Sequence, residues 1–397
     1  MSMLLAGGDV FDPTGQMLSN HGVLVEDGKI KTVAPAAEFA GYAGPVFDAK
    51  GCTVLPGLID CHVHLVYGGE NNPRPVMHEL SDAAITLKAL HNAQVSLRGG
   101  ITAVRDCGGK DYLEFAVRDA IQRGTFLGPT IRAVGRMICM TGGHGNHIAR
   151  VADGKDDVVR AVREQIHAGC DQVKIMATGG VMTPGVNPED AHYSAEEMAA
   201  GIAEGKRFHR KSASHAQGSE GILNAVRGGV DSIEHGIFMT DECVREMLQR
   251  RTTLVPTLAA LNNILSNTKQ GIPAYVVEKA SRVAERHRES VRMYHRAGGR
   301  IALGTDAGTP FNLHGRNALE LEYMVEVGIS ARDALLAGTL HAADLLELPL
   351  QGRIQAGGDA DLLVVQGNPL QDITCAARVE HHRAVFKQGR RVTQETA

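Results

Sequence analysis

Two histidines, His62 and His64, stand two apart at the end of an apolar run, Leu58-Ile59-Asp60-Cys61-His62-Val63-His64-Leu65. In an extended chain residues i and i+2 point to the same side, so the pair offers two imidazoles in one direction, a geometry suited to a metal ion. On an edge strand such a pair would simply face solvent, but inside an apolar strand the two rings need partners. Residues of ligand type end other apolar runs: Lys174 in Val173-Lys174-Ile175-Met176, His215 in Ala213-Ser214-His215-Ala216, His235 in Ile233-Glu234-His235-Gly236, and Asp306 in Gly304-Thr305-Asp306-Ala307. Taken singly, each has a plain explanation as a hydrogen-bonded core side chain or a helix cap. Six residues from five runs, all of ligand or ligand-precursor type, instead describe one cavity built to hold cations.

Something must bring those runs together, and the middle of the chain has the right alternation. Short apolar stretches, expected as strands over 58–65, 103–107, 130–136, 172–177, 212–215, 232–235, 253–256 and 300–305, are separated by helical patterns such as 83–97, 158–167, 195–208 and 276–295. Eight strand-helix repeats predict a parallel (β/α)8 TIM barrel over residues 57–356. In such a barrel the strand ends open onto the C-terminal face, where all six residues fall. The two ends of the chain have a different texture. Residues 1–56 read as strands with an Asp27-Gly28 hairpin turn, and 361–365 and 385–392 resume that pattern. The expectation is a small β-sandwich domain assembled from 1–56 plus 357–397, for an α/β protein overall.

Composition excludes some classes of function. With 397 residues, 43% hydrophobic, 22% charged and a net charge of −4, the chain is an ordinary globular sequence, without the basic excess that nucleic acid or an anionic membrane would require. Seven cysteines in no paired spacing suggest a reducing, cytoplasmic setting. The first residues lack the basic start and long apolar core of a signal peptide, and no stretch of about 20 apolar residues is present to span a bilayer.

The motif Pro56-Gly57-Leu58-Ile59-Asp60-Cys61-His62-Val63-His64, the lysine at the fourth strand, the histidines at the fifth and sixth and the aspartate at the eighth resemble those of the amidohydrolase superfamily. The likeness covers nearly the whole chain, including the domain made from both ends. It implies a hydrolase with two divalent metal ions, usually zinc: His62 and His64 with Asp306 on the more buried ion, His215 and His235 on the more exposed one. Lys174 would bridge them as N6-carboxylysine, formed from its neutral amine and carbon dioxide. Two metals roughly 3.5 to 4 Å apart can share a hydroxide near neutral pH and polarise a carbonyl. Asp306 would take the proton of that hydroxide and deliver it to the leaving nitrogen.

Local runs narrow the substrate. Dihydroorotase-like members tend to carry an arginine just after the histidine pair for an anionic substrate, whereas Leu65-Val66-Tyr67 follows here. Lys174 argues against the one-metal deaminases and imidazolonepropionase-type ring opening, which stand as the alternative, with a degenerate metal-binding scaffold as the non-enzyme alternative. Met140-Thr141-Gly142-Gly143-His144-Gly145 and Val173-Lys174-Ile175-Met176-Ala177-Thr178-Gly179-Gly180-Val181 look like the prolidase-like and carboxypeptidase-like members, which act on dipeptides and N-acyl amino acids. By resemblance, His144 would donate to the scissile carbonyl oxygen and Tyr193 to the substrate carbonyl or carboxylate. A related amide, carbamate or urea fits the same chemistry. Glu70, His147, Arg150 and His314 are weaker candidates for substrate contact, while His78, His91, His167, His209, His381 and His382 read as surface residues. Homo-oligomers are common in the family.

Overall fold

The computed structural model describes residues 2–392; Met1 and residues 393–397, the extremes of the expected terminal domain, lie outside the described residues. The barrel is built as its alternation requires. Leu58–Val63, Ile101–Asp106 and Thr130–Ala133 pair in parallel, and Val173–Met176, Ser212–Ala216, Ser232–His235 and Thr253–Val255 form the other parallel run. Helices follow the strands, several with side-chain caps on their exposed first N–H groups. Ser81 caps Asp82–Arg98, Thr240 caps Asp241–Arg250, and Ser194 with Glu197 makes a capping box on Ala195–Arg207.

Two strands differ from expectation. The third ends at Ala133, and the short strand Ile138–Cys139 pairs with the fourth in its place. The eighth, expected over 300–305, is an extended segment held by isolated bridges from Ile301 to Leu254 and from Ala307 to Val63. The cause is Asp60. Its buried carboxylate inserts between the first and eighth segments, accepting from His62 N at 2.9 Å, Thr305 N at 3.1 Å, Thr305 Oγ1 at 2.6 Å and Asn317 Nδ2 at 2.8 Å. A side chain thus takes the place of part of the ladder and pins the two segments that carry His62 and Asp306.

Strands from both ends of the chain join in one eight-stranded sheet. Within it Leu362–Gln366 lies between Cys52–Pro56 and His382–Lys387, so the C-terminal strands complete what the N-terminal ones begin. The two-residue period sorts its faces: Val10, Val54, Leu362 and Val364 pack in a core of the sheet's own, while Phe11, Leu55, Leu363 and Val365 join the core of the barrel. Buried Lys387 locks the seam, with Nζ 2.6 Å from Asp361 Oδ2, 3.0 Å from Thr102 O and 2.9 Å from Thr130 Oγ1. No helix among the described residues is long and apolar enough to cross a membrane.

Candidate active site

His62, His64, Lys174, His215, His235 and Asp306 all line one cavity. Their convergence has local causes. Lys174 and Met176 alternate into the cavity while Val173 and Ile175 enter the core. His235 and Asp306 leave their strands with left-handed backbone, φ 72° and 61°, a conformation that costs a non-glycine residue roughly 1–2 kcal/mol and turns each side chain off the line of its strand. Gly304 allows the approach of the eighth segment, since a Cβ there would lie 2.2 Å from Val255 Cγ1 and 3.0 Å from His62 Cβ.

The hydrogen bonds fix which ring nitrogen of each histidine is bare. His62 Nδ1 donates to Glu234 Oε2 at 2.7 Å, and His64 Nδ1 to Gly108 O at 2.8 Å. The Nε2 atoms of both rings then face Asp306 Oδ1, at 3.4 and 3.2 Å. His235 Nδ1 lies 2.6 Å from Thr257 Oγ1, whose own proton goes to Pro256 O, so Nε2 is again free. His215 is reversed, with Nε2 donating to Gly179 O at 2.8 Å and Nδ1 left bare. Burial holds His62 and His215 well below the usual imidazole range and takes His235 down to about 3. Burial also opposes ionisation of Asp306, but facing His62 and His64 holds its carboxyl well below the usual carboxylate range. Burial disfavours the charged form of His64 as well, but its contact with Asp306 holds it above the usual imidazole range, so a cation would have to displace that proton before His64 could join the neutral imidazoles as a ligand.

Three of these residues, His62, His235 and Asp306, bring ligand atoms within 4.8 Å of one another. Lys174 supplies the test of fit. Its side chain is 2% exposed and Nζ has no hydrogen-bond partner, although a buried polar atom is costly when unpaired. An orphaned amine inside a ring of nitrogen and oxygen donors suits a site made to hold divalent ions, with the lysine as a precursor of one ligand.

Behind His62 lies a network that the sequence reading did not single out. Glu234, fully buried, accepts from His62, from Arg105 Nη2 at 2.7 Å and from Ser232 Oγ at 2.6 Å. Arg105, equally buried, also donates to Cys61 O, Gln172 Oε1 and Ser232 Oγ. Charged residues at inward positions of otherwise apolar strands were the signal that could have revealed it.

His144 reaches the cavity, its ring 4.4 Å from that of His215. Thr183 Oγ1 accepts from Gly145 N–H and shares a hydrogen bond with His144 Nδ1 at 2.9 Å; the tautomer in which the hydroxyl donates carries the imidazole proton on Nε2. Burial takes His144 down to about 3. Gly180 makes room for the ring, for a Cβ there would stand 2.5 Å from His144 Cε1.

Tyr193 is not brought to this group. Its ring is 2% exposed within the barrel core, and its hydroxyl donates to Ala152 O at 2.7 Å; it does not line the cavity. Lys88 holds Glu70, and Asp157 and Glu164 hold Arg150. His314 is buried behind the histidine pair and donates to Tyr67 O. His147 lines the cavity mouth, bonded to Tyr67 Oη at 2.7 Å, together with Asn72 and Arg74. His382, read as a surface residue, is buried because Nε2 donates to Ala376 O. An adjoining chamber of about 410 Å³ shares His144, His215, His235 and Asp306 and is otherwise mainly apolar, with Val181, Ile237, Leu261 and Ile264.

The chain is similar to known proteins along nearly its whole length. The amidohydrolase family profile matches residues 53–392. A Xaa-Pro dipeptidase solved with methionine in its active site is 31% identical with a TM-score of 0.92, covering 99% of this chain and 100% of that one. A prolidase solved with N-methylphosphonate-L-proline is 31% identical with a TM-score of 0.91 over 100% of both chains. Ochratoxinase of Aspergillus niger is 29% identical over 412 residues, 95% of this chain and 83% of that one.

Proposed function

The chain belongs to the amidohydrolase family and is a hydrolase of carbon–nitrogen bonds, and from that premise we propose that it cleaves the amide bond of dipeptides or N-acyl amino acids, or of a related amide, carbamate or urea. Its cofactors are two divalent cations, zinc in the first instance. His62, His64 and Asp306 would hold one ion and His215 and His235 the other, with Lys174 contributing as N6-carboxylysine. The observation that carries this reading is the buried, unpartnered Nζ of Lys174 among imidazole nitrogens, since carboxylation of its amine yields an anionic ligand. When bound, such a pair of cations lowers the pKa of a shared water and polarises a carbonyl.

The chain's own groups do the rest. Asp306 takes the proton of the attacking water and returns it to the leaving nitrogen. His144, neutral and with its proton on Nε2, donates to the carbonyl oxygen as negative charge develops there. The strand-end backbone and the Glu234 bond hold these groups in place before substrate arrives. Support for the substrate class comes from relatives: proteins similar along their whole length were solved as a Xaa-Pro dipeptidase and a prolidase. The seven free cysteines, six of them buried, support a cytoplasmic setting.

The test is hydrolysis of a panel of dipeptides and N-acyl amino acids, read by release of the free amine, with wild type and His62→Ala compared. Loss of metal and turnover in His62→Ala, with an unchanged circular dichroism spectrum, is expected. Full activity in that variant would overturn the proposal.

A further inference from the structure

We infer that Arg74 is the carboxylate-binding residue of this site, and that the substrates are therefore amides carrying a free carboxylate. The inference rests on the hydrolase reading above and adds to it a specificity-determining residue. Three observations meet on this side chain.

The first is position and charge. Among the described residues, Arg74 is the one arginine that lines the main cavity, at its mouth with Tyr67, Asn72 and His147. Asp306 is the one carboxylate on the same wall, and it faces His62 and His64 at 3.4 and 3.2 Å. The Arg74 guanidinium makes one side-chain hydrogen bond, from Nη2 to Asn146 Oδ1 at 3.3 Å, and no described carboxylate lies within ion-pair distance of it. Arg150 makes the contrast: it opens the short strand Arg150–Val151, and Asp157 and Glu164 saturate it. A guanidinium has five N–H donors in a planar fork matched to a carboxylate. With one donor oriented by Asn146, the others remain for an incoming anion.

The second is that the support is fixed. Arg74 opens the short helix Pro73–Glu79, whose first residue is a buried proline. The preceding loop is tied to the loop after Asp306 by Gly69 N to Gly308 O at 3.2 Å and Phe311 N to Gly69 O at 2.9 Å, and Asn71 Nδ2 donates to Gln270 O. The residue that would hold the carboxylate and the residue that would move the proton are thus carried by loops bonded to each other, which sets a constant span between carboxylate and scissile bond.

The third is elimination. The hydroxyl expected to receive a carboxylate, that of Tyr193, is committed to Ala152 O in the core. Tyr67 Oη and His147 Nε2 are bonded to each other, so neither offers a charge. Arg74 is what the mouth presents to an anion.

The test uses the metal-loaded full chain and matched substrate pairs, each dipeptide or N-acyl amino acid of the panel beside its C-terminal carboxamide, which keeps the shape and removes the charge. The wild type should prefer acid over carboxamide by about 10- to 100-fold in kcat/KM, the size of one charged hydrogen-bonded contact. Arg74→Gln should collapse that ratio, chiefly through KM for the acids, and Arg74→Lys should restore part of it. An unchanged ratio in Arg74→Gln, or a wild type that accepts both members of each pair alike, overturns the assignment while leaving amide hydrolysis in place. Turnover confined to uncharged ureas or carbamates overturns it as well. If no amide in the panel is hydrolysed, the function proposed above falls, and this inference with it.

Discussion

Replacing Glu234 by glutamine separates what the buried network contributes to stability from what it contributes to the metal ligands. Three donors converge on the two oxygens of Glu234: His62 Nδ1 at 2.7 Å, Arg105 Nη2 at 2.7 Å and Ser232 Oγ at 2.6 Å. Glutamine has one acceptor oxygen and an NH2 group, so at least one of these donors meets another donor. Arg105, with no exposed surface, also loses the carboxylate opposite it. Breaking a buried ion pair from one side costs about 3–5 kcal/mol. Because Arg105 keeps its bonds to Cys61 O and Gln172 Oε1, the lower end, about 3 kcal/mol, is expected. That is a large share of the roughly 5–15 kcal/mol that holds a domain folded. The second effect falls on His62, whose Nδ1–H loses its acceptor. Loss of such a partner typically weakens metal binding about 10- to 100-fold. Urea unfolding and competition against a chelator would read the two effects. Arg105→Met combined with Glu234→Gln should cost less than the two single changes summed, because no unpaired charge is left. A Glu234→Gln protein with wild-type unfolding midpoint and metal affinity would show that this network does not hold His62.

Other outcomes follow from single contacts. Gly180→Ala drives a methyl group into the His144 ring; displacement of a catalytic group by about 1 Å can cost about 100-fold in rate, so steady-state kcat should fall while metal content measured by elemental analysis stays unchanged. Tyr193→Phe removes one buried hydrogen bond, to Ala152 O, and should lower stability by about 1 kcal/mol without changing kcat/KM; a large loss of turnover would return Tyr193 to the substrate. Burial pushes the Glu320 carboxyl up to about 8, against the pull of the Leu258 and Ala259 N–H groups. A carboxyl with a higher pKa folded than unfolded binds its proton more tightly in the folded state, so its contribution is present below about 4.5 and is lost as pH rises toward 8. The stability of wild type relative to Glu320→Gln should therefore fall by on the order of a few kcal/mol between pH 5 and 8, and a difference independent of pH would refute this.

The barrel, and the meeting of six strand-end residues in one cavity, were legible because both rest on short-range rules. Alternation put Lys174 and Met176 on one side of a strand and Val173 and Ile175 on the other, and His62 and His64 two apart. Helix limits were visible through caps such as Ser194 with Glu197. What escaped notice depends on contacts distant in sequence. In the eighth segment the N–H of Thr305 goes to the Asp60 carboxylate, 245 residues away, instead of to a neighbouring strand. Tyr193 stands just before a helix, and nothing local says whether its ring turns to the cavity or to Ala152. Arg74 reaches the mouth only because Gly69 is tied to Gly308. His382 looked like a surface residue beside His381 until the carbonyl of Ala376 covered its ring nitrogen.

The central claim is that this ligand set holds two ions around a carboxylated lysine. The most direct measurement is elemental analysis of the purified protein and of Lys174→Ala, paired with carbon NMR after equilibration with labelled carbon dioxide. Two divalent ions per chain, a carbamate carbon signal in the wild type, and loss of the signal and of at least one ion in the variant are expected. One ion per chain, with no carbamate signal and the same metal content in Lys174→Ala, would contradict it.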